Sequence, residues 1–265
     1  MIFDNVLNKI SDSYHTIMTL RENGISLKDI TEVIKGKSSL IHGRVVMFDD
    51  ETGELIFRKN NLVLLRGRTF ALEKMFDTPN TLDMGYNVTD LASKKICLFK
   101  IGNGGADPAN PFTLLAGVVT PNNTSLANEI PFVISNEGEE KPEKYFDLKA
   151  MNDGTSNNAY YAKAFDSYEY FMNTNTGDEV GVKLTISLEP EDFATTPIKD
   201  ENGYTTYTRS TFINEIGLCI GNVVTDSDGK MTDVQNVELI SHLTFSSEPY
   251  TSPLKSSTVY YYLYA

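Results

Sequence analysis

The sequence predicts a mainly β protein: an antiparallel β-sandwich or barrel-like domain with an N-terminal helical hairpin and one short helix after an early strand. Two observations carry this. Apolar runs, several alternating with period two, recur between turns rich in Gly, Asn and Asp. Helical spacing is confined mainly to the front of the chain, so strand and helix do not alternate as a parallel sheet requires. The domain reading is 1–37 for the hairpin and 38–265 for a β-rich structural domain. With 265 residues, 40 % of them hydrophobic, the chain has material for a real core.

At the front, Phe3, Val6, Leu7, Ile10, Tyr14, Ile17 and Met18 form one apolar stripe at helical spacing. Ser26 is an N-cap with Asp29 three residues on, Leu27, Ile30, Val33 and Ile34 supply a second amphipathic helix, and Gly36 ends it. Each stripe needs cover, from the protein's own core or from a neighbouring subunit, and the pattern leaves both open.

The period then changes. Ile41, Val45, Val46 and Phe48 face Leu55, Ile56 and Phe57 across the turn at 49–53, a hairpin signature. Residues 55–76 are the pivot of the chain, strand-like at 62–65 and helical where Phe70, Ala71, Met75 and Phe76 recur. A strand at 96–101 runs into Gly102-Asn103-Gly104-Gly105; 106–128 reads as a long surface loop, and strand character resumes at 129–134. Val180, Val182, Leu184, Ile186 and Leu188 alternate with smaller or polar residues, the cleanest half-buried strand. Pro190 and Pro197 punctuate a further loop, and strands follow at 212–218 and 238–245, with a turn at 226–229 between them. On the closing strand, alternation puts Tyr260, Tyr262 and Tyr264 on one face and Val259, Tyr261 and Leu263 on the other.

Charge narrows the partners. With 36 acidic against 23 basic residues, the net charge of -13 opposes binding to nucleic acid or an anionic membrane surface. No stretch approaches a membrane span and no secretory leader is seen, so folding in a cytoplasm is expected. Cys97 and Cys219 lie in apolar segments and read as buried free thiols.

The residues that carry chemistry elsewhere stand here in structural patterns. Gly36-Lys37-Ser38 has Thr31 where a phosphate loop needs glycine, and Gly102-Asn103-Gly104-Gly105 opens no helix. Asp226, Asp228 and Asp233 lack calcium-loop spacing, and the three histidines, His15, His42 and His242, sit in no metal or nucleophile motif. Carboxylate pairs such as Glu189 with Glu191, or Glu191 with Asp192, read as solvated loop. Glu215, a charge between Ile213 and Ile216, either bridges a subunit contact or points to the outer face of its strand. No cofactor or metal is expected.

Three groups of segments resemble a pattern common in tailed-phage virion structural proteins, especially small tail, baseplate and neck components. The first is Asn61-Leu62-Val63-Leu64 with Gly67-Arg68 and Ala71-Leu72. The second pairs 98–105 with Ser125-Leu126-Ala127-Asn128-Glu129-Ile130. The third joins 212–218, Leu239-Ile240-Ser241-His242-Leu243-Thr244-Phe245 and Pro253-Leu254-Lys255-Ser256. The resemblance spans about 55–265, leaving out the hairpin and an insertion from about 137 to 175. It implies a non-enzymatic building block of the virion, folded in the host cytoplasm and joined to other virion proteins in a symmetric homo-oligomer. A capsid decoration protein is the close alternative, and a receptor- or glycan-binding module the rival class. The expected contact surfaces are Phe3, Val6, Leu7, Ile10, Tyr14, Ile17, Leu27, Ile30, Val33 and Ile34 in the hairpin, Phe112 in the long loop, and Tyr260, Tyr262 and Tyr264.

Overall fold

A computed structural model describes residues 42–76, 91–136, 143–151, 157–173, 179–189, 192, 194–199, 205–209, 213–246 and 256–264. The predicted helical hairpin, with Phe3, Val6, Leu7, Ile10, Tyr14, Ile17, Leu27, Ile30, Val33 and Ile34, lies outside the described residues.

Period-two sequence becomes strand almost throughout: β1 (His42–Asp49), β2 (Leu55–Val63), β3 (Lys95–Gly102), β4 (Ala106–Asp107), β5 (Asn110–Leu114), β6 (Glu129–Ile130), β7 (Val133–Asn136) and β8 (Tyr145–Ala150). The second half adds β9 (Asn157–Ala164), β10 (Ser167–Asn173), β11 (Glu179–Leu188), β12 (Ala194–Lys199), β13 (Thr205–Arg209), β14 (Glu215–Thr225), β15 (Met231–Thr244) and β16 (Ser257–Tyr264). Helix α1 (Leu65–Phe76) follows β2 directly, and a 3-10 turn at Leu91–Ser93 precedes β3. The strands form a large, curled, antiparallel half-barrel, ordered β10-β11-β16-β1-β2-β15-β14-β3-β9-β7, with β8 on the other side of β9.

The curl encloses the main core. Val45, Met47, Leu184, Ile186, Leu188, Val259 and Tyr261 from one end of the sheet meet Phe99, Ile101, Ile216, Leu218 and Ile220 from the other. A second cluster, Leu64, Cys97, Leu98, Leu126, Phe146, Ala162, Cys219, Val234 and Leu239, backs the sheet where β3 and β14 run. Both cysteines are free and buried there, as their apolar neighbours predict.

The β1–β2 hairpin forms as predicted. Asp49 accepts hydrogen bonds from the backbone of Glu51 and Thr52, and Gly53 closes the turn at φ 70°. In α1, Phe70 and Ala71 reach the core while Met75 is exposed. Gly67 lies inside the helix at a close backbone approach: a Cβ there would come 2.5 Å from the carbonyl oxygen of Ile240, so its absence lets α1 lie directly on β15.

Other expectations are corrected. The loop read at 106–128 begins as the β4–β5 ribbon and buries Leu126, and strand 129–134 breaks into β6 and β7 around Pro131. Pro197 lies within β12, which among the described residues pairs with β13 alone, so the punctuated loop holds a two-stranded ribbon. The segment set aside as an insertion contains β8, β9 and β10.

Candidate functional site

Three assemblies of side chains rise above the general packing: a buried polar knot, an ionic clasp, and an open apolar edge.

The knot is centred on Glu215. Its carboxylate accepts hydrogen bonds from the backbone N–H groups of Gly104, Ala127 and Asn128 at 2.7, 2.8 and 3.1 Å and from Nε2 of His242 at 2.8 Å. Next to it, Asn214 accepts from the N–H of Gly105 at 2.7 Å and donates to the carbonyl of Asn103 at 3.2 Å. The register explains the geometry. Gly217 stands opposite His242 and carries no side chain, so the imidazole reaches the diagonal neighbour two residues along. Burial alone pushes the Glu215 carboxyl up, but the bonds from His242 and the three backbone donors outweigh it and hold it below the usual carboxylate value. Glu215 therefore neither bridges subunits nor faces outward, correcting both sequence readings. It and His242 are sealed from solvent, and four donors fill the carboxylate's acceptor sites, so the pair is closed to a substrate.

Asn61 does related work. Its amide donates to the hydroxyls of Ser241 and Tyr261, and its side chain lies over Gly43. Thus the segments that carry the phage resemblance touch one another: Asn61 and Gly67 meet β15 at Ser241 and Ile240, while 102–105 and 126–128 meet Glu215 and His242.

The clasp joins the two ends of the curled sheet. Lys163 on β9 donates to Asp192 at 2.7 Å and to the carbonyl of Ser187 on β11 at 2.6 Å; Asp192 also accepts from Tyr145 on β8 at 2.8 Å and from the N–H of Glu189 at 2.7 Å. Lys163 and Asp192 are fully buried. The solvated-loop reading is therefore wrong for Asp192, because nothing local in the sequence reveals a lysine contributed from β9.

At the opposite end of β11 the curl stays open. Only two residues, Phe165 and Asp166, link β9 to β10, so β10 starts at the clasp and then runs along an edge of the sheet with β11 its one strand partner among the described residues. By register, Tyr168, Tyr170 and Met172 share the interior-facing side with Leu184, Val182 and Val180. They nevertheless stand 72, 76 and 66 % exposed, with Val180 at 49 %. Tyr170, Val180 and Val182 also border an apolar cleft of about 200 Å³ that reaches Phe70, Leu218 and Ile240. The sequence reading missed these residues, although the alternation of Tyr168, Tyr170 and Met172 is a strand signal.

Of the predicted contact residues, Phe112, Tyr260, Tyr262 and Tyr264 are described, and they do not form one surface. Tyr260, Tyr262 and Tyr264 do share the outer face, with Val259 and Tyr261 buried inward. They form a ladder with centroid spacings of 6.4 and 6.3 Å, extended by Phe48 and Phe171 and flanked by Arg44 and Lys183. Tyr264 is buried, and Tyr260 and Tyr262 are half-buried. Phe112 is exposed on β5, apart from this ladder in the sheet order.

Among the described residues no group of three or more His, Cys, Asp or Glu is placed to hold a metal, and no helix is long and apolar enough to cross a membrane. No family model, curated protein or solved structure matches this chain.

Proposed function

We propose that this chain is a non-enzymatic virion structural protein of a tailed bacteriophage, working through protein–protein interfaces in the tail, baseplate or neck. The observation that carries the reading is the apolar edge strand β10, where Tyr168, Tyr170 and Met172 stand exposed on the side that elsewhere forms the core. A regular, uncovered apolar edge is a template for pairing with another chain, and natural proteins ordinarily blunt such edges. Support also comes from the mutual contacts of the segments that resemble phage proteins, which act together as one structural signature. The chain folds in the host cytoplasm, then joins other virion proteins as a symmetric homo-oligomer.

Immunogold labelling of particles of the encoding phage, with antibody to this chain, tests the reading. Gold at the tail, baseplate or neck supports it. Gold spread over the head favours a capsid decoration protein instead, and unlabelled particles, intact and partly disrupted, overturn the virion assignment.

A glycan-binding module is the second reading, favoured by the outer tyrosine ladder with Arg44, Lys183 and Glu169 beside it. Binding on a glycan array that is lost in Tyr262→Ala would move the assignment there.

A further inference from the structure

We infer that β10 pairs antiparallel with β10 of a second copy about a twofold axis at Tyr170, extending the curled sheet across two chains. The inference rests on the assembly reading above and names its partner.

Among the described residues, the edge strands β8 and β10 differ in kind. At the β9 end, the edge strand β8 bears Asp147 and Lys149, with Asp147 at φ 56° and ion-paired to Lys100 at 2.6 Å and Lys149 at 3.4 Å. Charge and a local kink protect such an edge. By contrast, β10 keeps unbroken register with β11 from Ser167 to Asn173 and carries one carboxylate, Glu169. That carboxylate is ion-paired with Lys183 of its own chain at 2.6 Å.

A strand that pairs with its own copy must be self-complementary. With Tyr170 opposite Tyr170, Tyr168 stands opposite Met172 and Glu169 opposite Phe171. The interior side then holds only aromatic and thioether contacts, which are favourable across a ladder. Centring on Glu169 instead would set two carboxylates face to face. For a chain of net charge -13, an edge whose only carboxylate is already neutralised is a place where two copies can approach.

The exposed side chains of β10 supply a substantial part of the area such an interface needs. At about 200 Å² per tyrosine, exposures of 72 and 76 % leave roughly 300 Å² to cover on Tyr168 and Tyr170 in each copy. Met172, Val180 and the backbone edge add to this, toward the about 800 Å² per partner of a stable interface. The added strand also lies beside the mouth of the apolar cleft, which Tyr170 and Val180 border.

Sedimentation equilibrium of the full chain tests the pairing, together with three substitutions at two exposed positions, Glu169 and Tyr170. The wild type is expected to form a dimer, and Tyr170→Lys, which sets like charges opposite each other, to weaken it at least about tenfold. On mild oxidation, Tyr170→Cys is expected to give a disulfide-linked dimer and Glu169→Cys far less. The native thiols, both buried, stay reduced. A monomeric wild type, a Tyr170→Lys dimer of unchanged strength, or equal cross-linking at 169 and 170 would overturn the pairing. Loss of gold labelling with the dimer intact sinks the virion reading alone, whereas labelled particles with a monomeric chain sink the pairing alone.

Discussion

Nε2 of His242 lies 2.8 Å from a carboxylate oxygen of Glu215, and neither side chain reaches solvent. An ionised carboxylate only accepts, so Nε2 carries the hydrogen, leaving a buried Nδ1 without a hydrogen-bond partner. The pair ties β14 to β15 while the same carboxylate holds the glycine turn after β3 and the segment before β6.

Glu215→Gln keeps the shape but puts an NH₂ group where at least one pair of donors converges. It should lose about 2–4 kcal/mol, read as a lower urea midpoint with an unchanged slope. Acid should distinguish it further. Folding holds this carboxyl below its ordinary 4.5, so its contribution is complete above that value and fades as pH falls through the lower folded one. The wild type should therefore lose more stability than Glu215→Gln between neutral pH and about pH 4.

Asp192→Asn leaves the buried Lys163 ammonium without its counter-charge, and should cost about 3–5 kcal/mol. Pairing it with Lys163→Met removes the orphaned charge and should recover much of the loss. A double-mutant cycle in urea checks this, strictly additive losses being the contrary result.

Gly67→Ala sets two effects against each other. Helix propensity favours alanine by about 1 kcal/mol, but the added Cβ would press on the Ile240 carbonyl oxygen at 2.5 Å. Backbone cannot step aside as a flexible side chain can, so a net loss of about 1–3 kcal/mol is expected in thermal or urea unfolding.

The two thiols should be inert in the folded protein. Burial pushes Cys97 up to about 12 and Cys219 higher still, so little thiolate forms at mildly alkaline pH. A chromogenic disulfide reagent should titrate neither until denaturant is added, and then both.

What could be read from the chain follows the range of the interactions. β11 and β16 were legible because Val182, Leu184, Ile186, Val259 and Tyr261 alternate strictly, and the β1–β2 turn because Asp49 and Gly53 act locally. β9 was not, since its buried positions Ala159, Tyr160, Ala162 and Lys163 fall on both faces with no period-two pattern, and the burial of Lys163 follows only once Asp192 is placed beside it. The Glu215–His242 pair depends on the β14–β15 register, which no local pattern encodes. The edge residues Tyr168, Tyr170 and Met172 had a readable alternation, but their being uncovered follows only from the sheet order.

The role in virion assembly proposed for β10 is read most directly in the copy number of this chain in purified phage particles, measured by quantitative mass spectrometry for wild type and Tyr170→Lys. The variant alters an exposed side chain, so the chain should fold with stability within about 0.5 kcal/mol of wild type. Wild-type particles should contain the chain, and variant particles several-fold fewer copies. Particles lacking the wild-type chain, or carrying the variant at full copy number, would contradict that role.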